Sequence, residues 1–273
     1  MTAARSDRYN RLRAERNARR RGQLMDRRRA VVGTVSDGEI KRLAPGGMTR
    51  TVHPATVRDP RPGETVLKTG ANSVKLGGDV LVGRLQGAKI VSLTLEERAT
   101  CPVSCPLWRA CYGNNMEKTH RYAHGPELVA RIAMEVADLC AAHDQVLVRL
   151  HILGDFWCVD YVRFWAVLLA LHPGLHVFGF TAHLPDTEIG AEVARWRGAL
   201  PGRFMIRHSG TCGTWGAFSI NAMVGEKTVG TGPGAAIVCP EQLDANEGSP
   251  ARKHCGNCGA CWSTDRPIAF IAH

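Results

Sequence analysis

Residues Val146–His183 read VLVRLHILGDFWCVDYVRFWAVLLALHPGLHVFGFTAH. Val146–Leu153 is a β-branched, apolar run. Asp160–Leu171 reads as a helix, stopped by Pro173 and Gly174. A second strand pattern follows in LHVFGFTAH. A strand, a helix and another strand in this space predict a parallel pair joined by a right-handed crossover. The same alternation continues outward. DTEIGAEVARWRGAL predicts a helix with Asp186 as N-cap and Ile189, Val193, Trp196 and Leu200 on one face, and RFMIRHSG predicts the next strand. Upstream, PELVARIAMEVADLC carries Leu128, Ile132, Val136 and Leu139 at helical spacing, with Pro126 in the first turn. DVLVGRL and AKIVSLTL, split by Gln86 and Gly87, predict a hairpin or an edge strand leading into the first core strand. A Gly-rich stretch from Gly210 to Gly234 precedes two last strands, AAIVCPE and PIAFIAH.

Six core strands are thus expected to begin near residues 89, 146, 175, 203, 235 and 267. They fit an α/β fold: a partial (β/α)6, TIM-like barrel of parallel strands, or an open doubly wound sheet. Both put chemistry on loops at the C-terminal strand ends.

The 273 residues carry a net charge of +10, unevenly placed. Residues 1–50 hold 14 Lys and Arg against 5 Asp and Glu, and the remaining 223 are nearly neutral. Residues 1–50 therefore read as a basic, Arg-rich arm, either solvated or bound along a nucleic-acid backbone by counterion release. Residues 51–88 read as a linker and hairpin cover, and 89–273 as the α/β core. The Arg-rich start lacks the apolar centre of a secretory signal, and no apolar run is long enough to span a membrane. A cytoplasmic, reducing setting is expected, where clustered cysteines serve metals or catalysis more often than disulfides.

The ten cysteines are clustered. Cys101, Cys105 and Cys111 follow the first core strand in TCPVSCPLWRACY. Cys255, Cys258 and Cys261 form a C-x2-C-x2-C run in CGNCGACW, with Cys239 on the preceding strand. Three thiolates on one tight loop plus a fourth from elsewhere match 4Fe–4S ligation, whereas zinc more often takes two C-x2-C knuckles. The second set thus reads as a closed four-thiolate centre, iron–sulfur or zinc. The first set leaves a metal position open for catalysis unless His120, His124, Cys158 or Cys212 fills it.

Polar groups end three successive strands: His151, Gly154 and Asp155, then Thr181 and His183, then Arg207, His208 and Ser209. Asp155 is suited to accept hydrogen bonds from an ammonium or a ribose. Trp108, Tyr112, Phe156 and Trp157 are placed to stack on a base or to shield a cluster. Cys140 reads as core. Lys68, Asn72 and Lys75 read as a solvated turn or as part of a site.

In chain order, GANSVKLGG, CPVSC…CYG, HILGDF, FTAH, VCPEQ and CGNCGACW resemble the phage and prophage family called gene product 88, over about residues 65–273. A three-cysteine loop after the first strand of a partial barrel also resembles the radical S-adenosylmethionine superfamily. That resemblance implies a catalytic 4Fe–4S cluster on Cys101, Cys105 and Cys111, with S-adenosylmethionine on its open iron and an outside electron donor. It implies Gly154, Asp155 and Tyr112 at the cofactor, Asp155, His183 and His208 in the catalytic pocket, and a second cluster on Cys239, Cys255, Cys258 and Cys261. The superfamily spacing is C-x3-C-x2-C, where this chain has C-x3-C-x5-C. The competing expectation is a non-catalytic zinc module that binds nucleic acid through its arm.

Overall fold

The computed structural model describes residues 49–220, 228–230, 232, 234–243 and 253–271; the basic arm, but for its last two residues, and the terminal His273 lie outside them. The chain forms strands β1 (Val57–Arg58), β2 (Lys68–Thr69), β3 (Lys89–Ser92) and β4 (Arg121–Tyr122), then helix α1 (Pro126–Ala142). Strand β5 (Val146–Leu150), helix α2 (Val159–Leu171), strand β6 (Leu175–Thr181) and helix α3 (Glu188–Ala199) follow. Then come strands β7 (Phe204–Ser209), β8 (Gly216–Ile220), β9 (Thr228–Val229) and β10 (Ala236–Val238). Two short helices, α4 (Cys255–Cys258) and α5 (Ala260–Ser263), precede strand β11 (Ile268–Ile271).

Nine strands make one sheet in the order β2-β3-β5-β6-β7-β8-β11-β10-β9. The seven from β3 to β10 are parallel to their neighbours, and only the edge strands β2 and β9 run antiparallel. Strands β1 and β4 pair separately.

Side-chain alternation along the strands separates two faces. Val91, Val146, Val148, Leu150, Leu175, Val177, Phe204 and Ile206 pack with Leu128, Ile132 and Val136 of α1, Val162 and Trp165 of α2, and Val193 of α3. Ile90, Leu147, Phe178 and Met205 point the other way, onto Leu76, Val80, Leu85 and Trp262. Among the described residues, the three long helices therefore lie on one face. Each fully buried Leu, Ile or Val on that face contributes about 1.5–3 kcal/mol, which fixes strand register.

The parallel α/β class is as expected. A doubly wound sheet has helices on both faces, whereas here the second face is covered by residues 76–88 and by α4 and α5. The sheet is open: β2 and β9 are its edges. Several local expectations are corrected. The hairpin shrinks to an Asp79–Lys89 bridge closed by a 3-10 turn at Gly83–Leu85, because Gly83 and Gly87 adopt positive φ between the runs. The helix cap is Thr187, whose hydroxyl accepts from the Gly190 amide, and not Asp186. The strand begun at Val146 stops at Leu150, and His151–Phe156 turn across the sheet end. Strand β8 arises inside the Gly-rich stretch, so there are seven parallel strands where six were expected. It seats itself between β7 and β11, which places β10 outside β11.

Candidate metal and cofactor site

The first cysteine loop leaves the C-terminal end of β3 and is anchored by a buried charged network. Arg121, fully buried on β4, holds Glu97 through two hydrogen bonds of 2.6 and 3.2 Å. It also donates to the carbonyls of Gly113, Met116 and Thr119. Burial alone would raise the Glu97 carboxyl, but its bonds from Arg121 and Thr51 hold it below the usual range. Arg98, with φ +67°, turns inward and donates to the Trp108 carbonyl and the Asn114 side chain. Thr100 donates to the Glu96 carbonyl and accepts from the Asp155 amide, which ties the loop to the end of β5. The Tyr112 hydroxyl donates to the Ile152 carbonyl.

These contacts gather Cys101, Cys105 and Cys111 close enough to feel one another's charge. Burial pushes all three thiols up, and Asp155 adds to the effect at Cys101 and Cys105. Asp155 is therefore beside the first loop. It is 3% exposed, and its carboxylate accepts from the amides of Phe156 (2.8 Å) and Ala182 (2.6 Å), so it clamps the end of β5 to that of β6. Burial raises its pKa. Gly154 serves packing: its φ is +82°, and a Cβ there would lie 2.5 Å from Leu95 Cβ and 2.6 Å from Thr100 Oγ1.

His183 Nε2 donates to the Phe156 carbonyl (2.8 Å), and His208 Nδ1 donates to the His183 carbonyl (3.0 Å). Asp155, His183 and His208 thus follow one another along three strand ends. Alternation on β7 puts His208 on the helix-covered side with Ile206, while Arg207 faces the other cysteines. His208 Nε2 is buried without a partner, and burial lowers this imidazole's pKa. Among the possible fourth ligands, His124 is exposed against Trp157, Cys158 packs among the helix-side residues, and His120 and Cys212 are exposed.

The second set lies on the face without long helices. Helix α4 docks through the Cys255 and Gly256 amides, which donate to the carbonyls of Lys75 and Leu76. Only glycine fits at 256, where a Cβ would come 2.3 Å from the Asp79 carbonyl oxygen. Gly259, at φ +71°, links α4 to α5, so the expected cysteine loop is a pair of helical turns. Cys239, Cys255, Cys258 and Cys261 line one cleft, walled by Trp262, Ile237 and Ile268. Burial pushes Cys255 up to about 11 and raises Cys239 and Cys261. Arg149, Arg207 and Lys75 oppose that rise. Among the described residues, no three Cys, His, Asp or Glu side chains converge tightly enough to hold one metal ion.

Protein-family models, curated proteins and solved structures contain no match to this chain.

Arg149, Arg207, Lys75 and the Glu97–Arg98–Arg121 network are the participants that motif reading did not single out as a group. Their signal was present. VLVRL and FMIRHS each place an Arg at the inward parity, two residues after Leu147 and Met205, where an apolar residue was due.

Proposed function

We propose that this protein is an iron–sulfur protein that carries out a redox modification, with an open three-cysteine centre and a closed four-cysteine centre. The observation that carries the reading is the arrangement of seven of the cysteines in two sets. Three stand at the C-terminal end of the first core strand beside Asp155, and four surround one cleft. The four thiols line a space. A C-x2-C-x2-C run with a fourth Cys from the preceding strand is the iron–sulfur pattern, whereas zinc more often takes two C-x2-C knuckles.

Cys101, Cys105 and Cys111 would hold the open cluster; Cys239, Cys255, Cys258 and Cys261 would hold the closed one. When bound, an open cluster on Cys101, Cys105 and Cys111 would supply an electron and a free coordination position, as in radical S-adenosylmethionine enzymes. The chain's own residues do the rest. Asp155 fixes the loop against the sheet end and offers its remaining acceptor capacity to an ammonium group. Tyr112 pins the loop to Ile152, and His183 braces the Asp155 turn. Curling of the sheet toward a partial barrel, with α1, α2 and α3 outside, is part of this reading. The substrate is nucleic-acid-linked if the Arg-rich arm binds phosphates.

The test is iron, acid-labile sulfide and zinc content after purification without oxygen, with the visible spectrum. About eight iron and eight sulfide per chain support two cubanes. One or two zinc with no sulfide overturn the proposal in favour of a metal-stapled binding module. For an iron-loaded chain, Asp155→Asn is expected to abolish S-adenosylmethionine binding while keeping the metal; unchanged affinity removes Asp155 from the cofactor site.

A further inference from the structure

Arg149 on β5 and Arg207 on β7 flank β6, in register with Phe178 and Phe180 respectively. Both belong to the face that carries the second cysteine set. Arg207 is fully buried and donates to the carbonyls of Ala260, Cys261, Thr264 and Arg266, which fastens α5 to the sheet. Arg149 has a different situation. Its one hydrogen bond goes to the carbonyl of its neighbour Leu150 (2.7 Å), and among the described residues no carboxylate pairs with it. Its guanidinium lies 5.5 Å from the Phe178 ring and 4.7 Å from Phe180. Phe178 meets Trp262 edge-on at 4.8 Å, and Trp262 adjoins Cys261 in the wall of the cleft.

A guanidinium stays protonated under any physiological condition. Arg149 is half-buried against these rings, so negative charge nearby acts on it through a medium less polar than bulk water. Cys255 and Cys261, which become thiolates when they hold a cluster, are close enough for Arg149 to feel their charge, as is the Tyr112 hydroxyl of the first loop. A cluster held by four thiolates is anionic, and its reduced form carries one more negative charge.

We propose that Arg149 is a positioning residue that sets the potential of the four-cysteine centre by charge, favouring the reduced state, so that with Arg207 it makes this centre an electron acceptor and not a mere staple. The inference rests on the iron–sulfur reading above. The step is one electron taken up from a one-electron donor, with no bond made or broken.

The experiment uses the full chain with Cys101, Cys105 and Cys111 replaced by Ala, so that only the second centre loads. Its midpoint potential is read by dithionite titration with electron paramagnetic resonance, in this background and with Arg149→Met or Arg149→Lys added. Met is expected to make the centre at least tenfold harder to reduce at a fixed potential, about 59 mV for one electron, and Lys to keep it near the parent value. A Met variant that no longer loads while the Lys variant does also supports a requirement for the charge. Equal potentials in all three overturn the inference, as do equal shifts in Met and Lys or loss of the cluster from both. A parent chain with no iron or sulfide overturns the underlying reading as well, and is told apart by metal analysis before any titration.

Discussion

The two cysteine regions differ in what surrounds the sulfur. The first is a loop on the sheet end, with Val103 and Leu107 exposed and its thiols flanked by the carboxylates of Asp155 and Glu97 as well as by Arg98. The second is packed into the core through Cys255 and Cys261 and is surrounded mainly by cations, since Glu241 is itself paired with Lys75 at 3.6 Å. Three thiols in an open, acid-flanked loop suit a centre that exchanges ligands and is hard to reduce. Four thiols among arginines suit one that keeps its ligands and takes electrons more readily. The same residue type therefore meets different surroundings in the two regions, set by local charge and access.

The largest expected effect separates the two regions outright. Cys101→Ala should remove about half of the iron and sulfide and leave thermal unfolding of the metal-free chain almost unchanged, because the three cysteines of the loop lie outside the hydrophobic clusters of the core. Cys261→Ala should also remove about half, and it should lower stability as well, because Cys261 packs against the core shared by Phe178 and Met205. Metal analysis and thermal melts of the two variants check this. Matching stability losses would erase the distinction.

Next in size is the anchor of the first loop. Arg121 and Glu97 are 0% and 1% exposed, so Arg121→Met strips the buried Glu97 carboxylate of its hydrogen-bonded cation and leaves Arg98, 3.8 Å away, as the remaining one, at a cost of up to about 3–5 kcal/mol. Hydrogen exchange should show residues 98–119 losing protection in this variant while residues 254–264 keep theirs. If both segments lose protection equally, the two regions are one cooperative unit and the comparison fails at the level of the fold.

Much of this architecture was legible in the chain because burial on one sheet face imposes a period. Val146/Val148/Leu150 and Leu128/Ile132/Val136 announce their partners by spacing alone. Strand β8 was hidden because GAFSI is short and embedded in glycines, and its place is decided by pairing with β11, fifty residues away in the chain. Asp155 was legible as a polar group at a strand end, but its duty as a clamp was not: the Ala182 amide that it accepts from lies beyond the next helix and strand. His208 and Arg207 show the limit most directly. They are adjacent in sequence, and a single step of strand parity sends one toward the helices and the other toward Cys261. Both belong to a motif, but only the faces of the sheet tell which one meets the cysteines.

The smallest effect should act on both regions together. Burial, aided by Arg149, pushes His151 down to about 3, and burial lowers His176 to about 4. Both imidazoles are neutral in the native state, whereas in the unfolded chain they take up protons near pH 6.5. Below that pH the unfolded state binds more protons, so stability is fully present above about 6.5 and falls as the pH drops. Both groups contribute down to about pH 4, and His151 alone contributes below it. Each costs at most about 1.4 kcal/mol per pH unit, and less for His176, whose ring retains some solvent contact. Urea midpoints of the metal-free chain at pH 7, 6 and 5 should fall steadily, and His151→Phe, which keeps the aromatic packing against Phe156 and Tyr161, should flatten the slope. Since the charge penalty belongs to the sheet that carries both cysteine sets, hydrogen exchange should weaken at 98–119 and 254–264 in parallel. Earlier loss at 98–119 would mean that the acid-flanked loop has its own proton-driven opening, a sharper difference between the two regions than geometry alone provides.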